Sequence, residues 1–221
     1  MVTPSLPQAR GPFITLEGPD GSGKSSLATR LAAVLRARGL NVVATREPGS
    51  TPLGERIRSI VLDTEPKIDR TGRADALLFA AARTQHVDEV IRPALDRGAI
   101  VLCDRYADSS MAYQGAGSQI PMAEMRALQQ FATGGLWPDL TILLDLPVEV
   151  GLSRKSDEMT RFEAYHDVAY HERVRAAFLG FASGEPARYA VLDATADPTT
   201  VLTAAAAAVE RLADRWPELR G

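Results

Sequence analysis

The chain has 221 residues, enough for one full hydrophobic core and little beyond it. Hydrophobic residues make up 45% and charged residues 24%, which excludes a disordered composition, and no run approaches the ~18 apolar residues of a membrane span. A net charge of −3 argues against a nucleic-acid polymer as partner, since backbone-phosphate binding needs a basic surface, yet a few placed cations suffice for a small phosphorylated ligand.

Residues 1–11 carry Pro4 and Pro7 and no continuous apolar stretch, so they are expected to form a flexible tail rather than a targeting segment. One domain over 12–221 and a cytoplasmic location follow as expectations. Phe13 to Glu17 reads as a short apolar strand running into a glycine-rich turn. From Lys24 to Arg38, Leu27, Leu31, Val34 and Leu35 fall at helical spacing, and Gly39 supplies the stop. A second strand spans Asn41 to Thr45, followed by the loop Arg46 to Pro52, a helix over about 53–62 and a long helix over about 72–92. Ala99 to Cys103 is a nearly continuous apolar strand ending at Asp104, the pattern of a buried parallel strand. Helices are predicted over 108–113 and 121–133, strands over 139–144 and 189–192, and further helices from about Pro147, Phe162 and Pro198. Cys103 is the only cysteine, so no intrachain disulfide forms, and its apolar setting marks it as a core thiol. The alternation of strand and helix predicts an α/β fold of three layers, a five-stranded parallel sheet with helices on both faces.

Gly18, Pro19, Asp20, Gly21, Ser22, Gly23, Lys24 and Ser25 match G-x-x-x-x-G-K-[ST] between a strand and an amphipathic helix. Glycines there let backbone N–H groups converge on phosphate oxygens, and the helix N-terminus adds a favourable dipole. Lys24 suits the β- and γ-phosphates, the Ser25 hydroxyl suits Mg²⁺, and Ser26 follows in the same turn. A nucleotide with Mg²⁺ is therefore the expected ligand. Asp104, at the carboxyl end of a central strand, is a second candidate for the metal, directly or through water. Arg105 beside it is a candidate for an acceptor phosphate. A monophosphate acceptor is a dianion that must approach another polyanion, so several fixed cations are required around it, and Arg46 is a further one.

The chain resembles the thymidylate kinase family. The resemblance is carried by the phosphate loop, Thr45-Arg-Glu-Pro-Gly49, Leu77 to Arg83 with Gln85-His86, Asp104 to Gly115, Trp137 to Thr141, Leu144-Asp145 and Arg161-Phe-Glu163, in family order over about residues 13–195. It implies a P-loop kinase fold with a mobile lid, transfer of the γ-phosphate of MgATP to dTMP, and a homodimer with the helices over 72–92 and 121–133 as interface candidates. It implies that Asp20 lies near the acceptor's 3′-hydroxyl and that Arg46, Pro48 and Arg105 surround the acceptor phosphate. Phe79 is expected to stack on the base, with Arg83 one helical turn later at the base edge. Ser109, Ser110 and Gln114 are further acceptor contacts, and Tyr113 packs near C2′ and disfavours a ribose hydroxyl. His86 and His166 are read as surface or packing residues.

The loop has no arginine at its variable positions, and family members of that kind place a transition-state arginine in the lid. Residues 152–163 form that candidate lid, shorter than many bacterial ones, with Arg154 and Arg161 expected to close over the phosphates, Lys155 as a third cation, and Glu163 as a candidate metal or acceptor contact. Thr160 stands where an acidic residue usually precedes the arginine. Two rival readings stay open on the residues alone: a kinase for a different pyrimidine nucleotide or a nucleoside, and a nucleotide-binding switch without catalysis. A third is a weakened relative with an impaired lid.

Overall fold

Residues 10–62, 69–154 and 167–220 are described by a computed structural model. Its five strands are β1 (Phe13–Glu17), β2 (Val42–Arg46), β3 (Ile100–Asp104), β4 (Leu140–Asp145) and β5 (Tyr189–Asp193). They pair in parallel in the order β2-β3-β1-β4-β5. The helices between them are α1 (Lys24–Ala37), α2 (Pro52–Leu62), α3 (Gly72–His86), α4 (Arg92–Asp96), α5 (Ala107–Ser110), α6 (Met122–Thr133), α7 (Val148–Ser153), α8 (Val168–Gly184) and α9 (Pro198–Glu210). The three-layer α/β expectation is met, with β2, β3 and β4 each shifted one residue later than the apolar runs suggest.

Every residue of β1 and β3 is buried, as central strands covered on both faces must be. On one face Leu27, Leu31 and Leu35 of α1 and Ala205, Ala208 and Val209 of α9 pack on Ile14, Leu16, Leu102 and Ile142, closed by Trp216 and Leu219. On the other, Phe13, Val87, Ile91, Leu95 and Tyr106 form one cluster and Leu143, Tyr170, Val174 and Phe178 another. Phe13 meets Tyr106 edge-on with ring centroids 4.9 Å apart. Each such large side chain contributes roughly 1.5–3 kcal/mol through burial, so the sheet is a rigid platform for the loops at its carboxyl edge.

Two helices depart from their predicted form. The helix expected over 72–92 continues to Asp96, but through a π-helical turn at Val87–Ile91, where the Arg92 N–H donates to Val87 O. Pro93 explains it: the ring lacks an N–H and clashes with the carbonyl four residues back, so the preceding turn widens. The helix expected over 108–113 starts at Ala107 and widens into a second π-helical turn over Met111–Gly117, with Ser118 N donating to Tyr113 O at 3.0 Å. α1 ends as predicted, with Gly39 in a left-handed conformation and its N–H donating to Arg36 O. α8 is described from Val168, where the Asp167 carboxylate caps Tyr170 N at 2.8 Å; the expected start near Phe162 lies outside the described residues.

β1 lies between β3 and β4, so successive crossovers leave it in opposite directions, and the carboxyl ends of β1 and β3 open into the crevice where such sheets bind ligands. The turn after β1 carries Gly18 to Lys24, the end of β3 carries Asp104, and β2 ends at Arg46. Among the described residues no helix is long and apolar enough to cross a membrane.

Candidate active site

The glycine-rich turn is held open by conformations that only glycine adopts without strain, with φ of 141° at Gly18, 75° at Gly21 and 88° at Gly23. A Cβ on Gly21 would stand 2.1 Å from the carbonyl oxygen of Gly151, so the turn and α7 pack backbone against backbone. Lys24 is buried, and its Nζ donates to Gly18 O at 2.8 Å, Pro19 O at 2.7 Å and Ser22 Oγ at 3.0 Å. Burial, then the Arg105 guanidinium, lower the Lys24 pKa to about 7. An ammonium this poorly compensated is poised to gain from a polyphosphate.

The Ser25 hydroxyl donates to Asp104 Oδ2 at 2.5 Å. Asp104 Oδ1 is buried and has no hydrogen-bond partner among the described residues. A hydroxyl and a carboxylate with one oxygen unused, beside a phosphate loop, is a donor set that fits Mg²⁺ sharing phosphate oxygens and water. No cluster of three or more His, Cys, Asp or Glu suited to a metal occurs among the described residues.

One cavity of about 740 Å³ joins this cradle to a second set of side chains. Asp20, Gly21, Gly23, Lys24, Ser25 and Ser26 line its one side, and Arg46, Pro48, Phe79, Arg83, Asp104, Arg105, Ser109, Ser110, Tyr113 and Gln114 the other. Gly18, Pro19 and Ser22 stand behind the wall, where they hold Lys24. Arg105 reaches across the cavity to ion-pair with Asp20, and its Cζ lies 5.2 Å from the Tyr113 ring centroid. The Tyr113 hydroxyl donates to the other Asp20 oxygen, Oδ2, at 2.9 Å. Asp20, Arg105 and Tyr113 thus form one unit between the two halves. Arg46 is more exposed and ion-pairs with Glu55 at 3.3 Å. Phe79 packs on Ile57, Val61 and Ala82, which fixes its ring between α2 and α3.

Arg83 lines the cavity and is also held from within the protein. It is 1% exposed, and its donors are largely consumed within the protein: Nε to Glu47 Oε2 at 2.7 Å, Nη1 to Ser110 Oγ at 3.0 Å and to Gln129 Oε1, and Nη2 to Tyr106 O at 3.0 Å. Nη2 also stands 2.7 Å from Glu47 Oε2, so all three guanidinium nitrogens are engaged within the protein. His86, read as a surface or packing residue, is fully buried and also a polar link: Nδ1 meets Glu47 Oε1 at 3.0 Å and Nε2 meets Thr45 Oγ1 at 2.6 Å. Together Thr45, His86, Glu47 and Arg83 form a polar chain along the cavity wall, with His86 behind it.

Arg154 lines the cavity from the end of α7, and its Nη1 donates to Ala194 O at 3.0 Å and Gly21 O at 3.4 Å. Lys155, Arg161, Glu163, His166 and most of the expected lid, as well as residues 1–9, lie outside the described residues. Three charged cavity residues were given no role from the sequence: Glu47, Glu55 and Arg58. Arg58 Nη1 donates to Pro48 O at 2.9 Å. Glu55 and Arg58 sit three apart on α2, one face of a helix whose start follows the Arg46 loop, and that spacing was the available signal. Glu47 stood within the matched segment Thr45 to Gly49, but its partners, 36 and 39 residues away, were hidden.

Sheet order, phosphate cradle and a second cationic wall in one crevice define a P-loop kinase. The model of the thymidylate kinase family matches residues 16–204. A thymidylate kinase of Thermomicrobium roseum is 50% identical over 206 residues, 92% of this chain and 96% of the relative. One of Deinococcus radiodurans is 52% identical over 189 residues, 85% and 90% of the two chains. The crystal structure of thymidylate kinase from Ehrlichia chaffeensis matches with a TM-score of 0.71 at 32% identity, over 88% of this chain and 95% of that one. The chain belongs to the thymidylate kinase family.

Proposed function

We propose that the protein transfers the γ-phosphate of MgATP to dTMP, giving ADP and dTDP for dTTP synthesis. The observation that carries this is the single cavity with a polyphosphate cradle on one side and Arg105, Arg46 and Phe79 on the other. Lys24 and the turn N–H groups grip the β- and γ-phosphates of the donor. Ser25 and Asp104 would hold Mg²⁺, which would supply neutralisation of phosphate charge. Arg105, supported by Arg46, draws the acceptor dianion against the γ-phosphate; an acceptor oxygen forms the new P–O bond in line as the bond to the β–γ bridging oxygen breaks. Phe79 stacks on the thymine, and Ser110, Gln114 and Arg83 meet its edge. Asp20 takes the sugar 3′-hydroxyl, and Tyr113 leaves no room for a hydroxyl at C2′. Arg154 and Arg161 are the proposed lid cations of the phosphates and Glu163 a proposed metal or acceptor contact, and lid closure would exclude water.

ADP release with MgATP across dTMP, dUMP, UMP, dCMP and AMP tests the reading. Turnover is expected to be fastest with dTMP, slower with dUMP and about 10²-fold or more lower with UMP, since a site that sterically rejects one hydroxyl discriminates on that order. Equal turnover with UMP would remove the sugar filter, and a different preferred acceptor would reassign the enzyme within the kinase class.

We also propose a cytoplasmic homodimer. Leu77 on α3 is 61% exposed and Phe131 on α6 is 84% exposed, large apolar side chains on two neighbouring helices that water would otherwise cover. Light scattering is expected to give twice the chain mass for the wild type and the monomer mass for the Leu77→Glu/Phe131→Glu double variant. A wild-type monomer, or a dimer indifferent to both charges, would refute this interface.

A further inference from the structure

Glu17 is the last residue of β1, directly before the phosphate loop, and its side chain is fully buried. Its carboxyl makes no hydrogen bond to the loop it precedes. Oε1 accepts from Tyr106 N at 2.8 Å and from Ser109 N at 3.3 Å, and Oε2 lies 2.5 Å from Ser109 Oγ. Ser109 Oγ in turn accepts from Arg105 Nη1 at 3.4 Å.

The backbone of Arg105 needs such support. Its φ is 67°, the left-handed region, which a bulky non-glycine residue occupies only when its surroundings hold it. Arg105 N donates to Leu16 O at 3.0 Å, and Cys103 Sγ donates to Arg105 O at 3.1 Å. Glu17 fixes the next N–H, that of Tyr106, so the peptides on both sides of Arg105 are tied to β1. The first turn of α5 has no side-chain cap of its own at Tyr106, and Glu17 satisfies its N–H groups from another element.

We infer that Glu17 is a positioning residue for the acceptor side, fixing the Arg105 guanidinium through Ser109 and the Arg105 backbone through Tyr106, although its sequence neighbours build the ATP cradle. The inference rests on reading Arg105 as the cation of the acceptor phosphate. Burial, then the Asp108 carboxylate, push the Glu17 pKa up to about 8, against its hydrogen bonds and the attraction of Arg105. Glu17 therefore works as an uncharged hydrogen-bond template, and an amide of the same shape replaces it.

The test is steady-state kinetics with MgATP and dTMP on Glu17→Ala, Glu17→Gln, Arg105→Lys and the Glu17→Ala/Arg105→Lys double variant, with ADP affinity measured alongside. Glu17→Ala is expected to lower kcat/KM for dTMP about 10²-fold, the effect of a misplacement of about 1 Å, with ADP affinity within about threefold of wild type. Glu17→Gln recovers most of that loss, and the double variant is no slower than Arg105→Lys alone. Losses that multiply in the double variant, or an equal fall in ADP affinity, would overturn the inference and make Glu17 a structural residue of β1. If Glu17→Ala does not fold, Ser109→Ala substitutes, with a loss of about 10-fold confined to dTMP on the same argument. A wild type that turns over no dTMP would overturn the reading of the site and this inference with it, whereas wild-type turnover with multiplicative losses overturns this inference alone.

Discussion

Arg105→Met is expected to lower kcat/KM for dTMP about 10³-fold while ADP affinity stays within about threefold of wild type, as removal of a charge-neutralising donor at the transferring group does. The guanidinium stands between Asp20 of the phosphate loop and Tyr113, so it is fixed before any ligand arrives. Its charge is opposed by Asp20, and an acceptor dianion gives it a stronger partner. Methionine keeps the stem and loses the donors. Arg105→Lys is expected to recover only part of the loss, because an ammonium cannot serve Asp20, Ser109 and a phosphate together in one plane. Kinetics at saturating MgATP decide the matter: a loss seen equally with ATP binding would mean that Arg105 supports the cradle instead.

Lys24→Met is expected to lower kcat by about 10³-fold or more and, unlike the Arg105 variant, to weaken nucleotide binding too. Lys24 also carries a pH signature. Without ligand its pKa is about 7, lowered first by burial, then by Arg105. A bound polyphosphate favours the charged form and raises that value. The sign follows: below about pH 7 the ammonium is already charged and binding takes up no proton on its account, whereas at pH 8 binding must supply one, so affinity falls as pH rises through that window. Calorimetry of ADP binding at pH 8 in two buffers of different ionisation enthalpy measures the uptake. Wild type is expected to take up close to one proton more than Lys24→Met, and the difference is expected to vanish at pH 6. Equal uptake by both proteins at pH 8 would mean that Lys24 is charged in the free site.

Features set by contiguous residues were legible in the chain. The cradle is one run from Gly18 to Ser25, and its phosphate-binding geometry depends on local φ angles that glycine alone supplies freely. The central strands β1, β3 and β4 are apolar runs because both faces of the sheet are covered there. The residue types of the second wall were legible through the order and spacing of the matched segments, and Arg46, Phe79, Ser110, Tyr113 and Gln114 do line the cavity. What the chain concealed was partnership across the fold. Arg83 read as a donor to a ligand, yet Glu47, Ser110, Gln129 and Tyr106 hold it, and Glu47 and Gln129 lie 36 and 46 residues away. His86 read as unremarkable because Thr45 and Glu47 become its neighbours only when β2 and the end of α3 meet. Glu17 read as one more strand residue, and its direction toward α5 depends on β1 lying beside β3. The widening of the long helix before Pro93 follows from a local rule, and the apolar periodicity masked it.

The most direct measurement of the central claim is the fate of label from [γ-³²P]ATP incubated with Mg²⁺, the protein and dTMP. One labelled dTDP is expected per ATP consumed, with almost no labelled orthophosphate, since the acceptor rather than water meets the γ-phosphate in the shared cavity. Label released as orthophosphate at the same rate with or without dTMP, or carried to UMP as readily as to dTMP, would contradict the account.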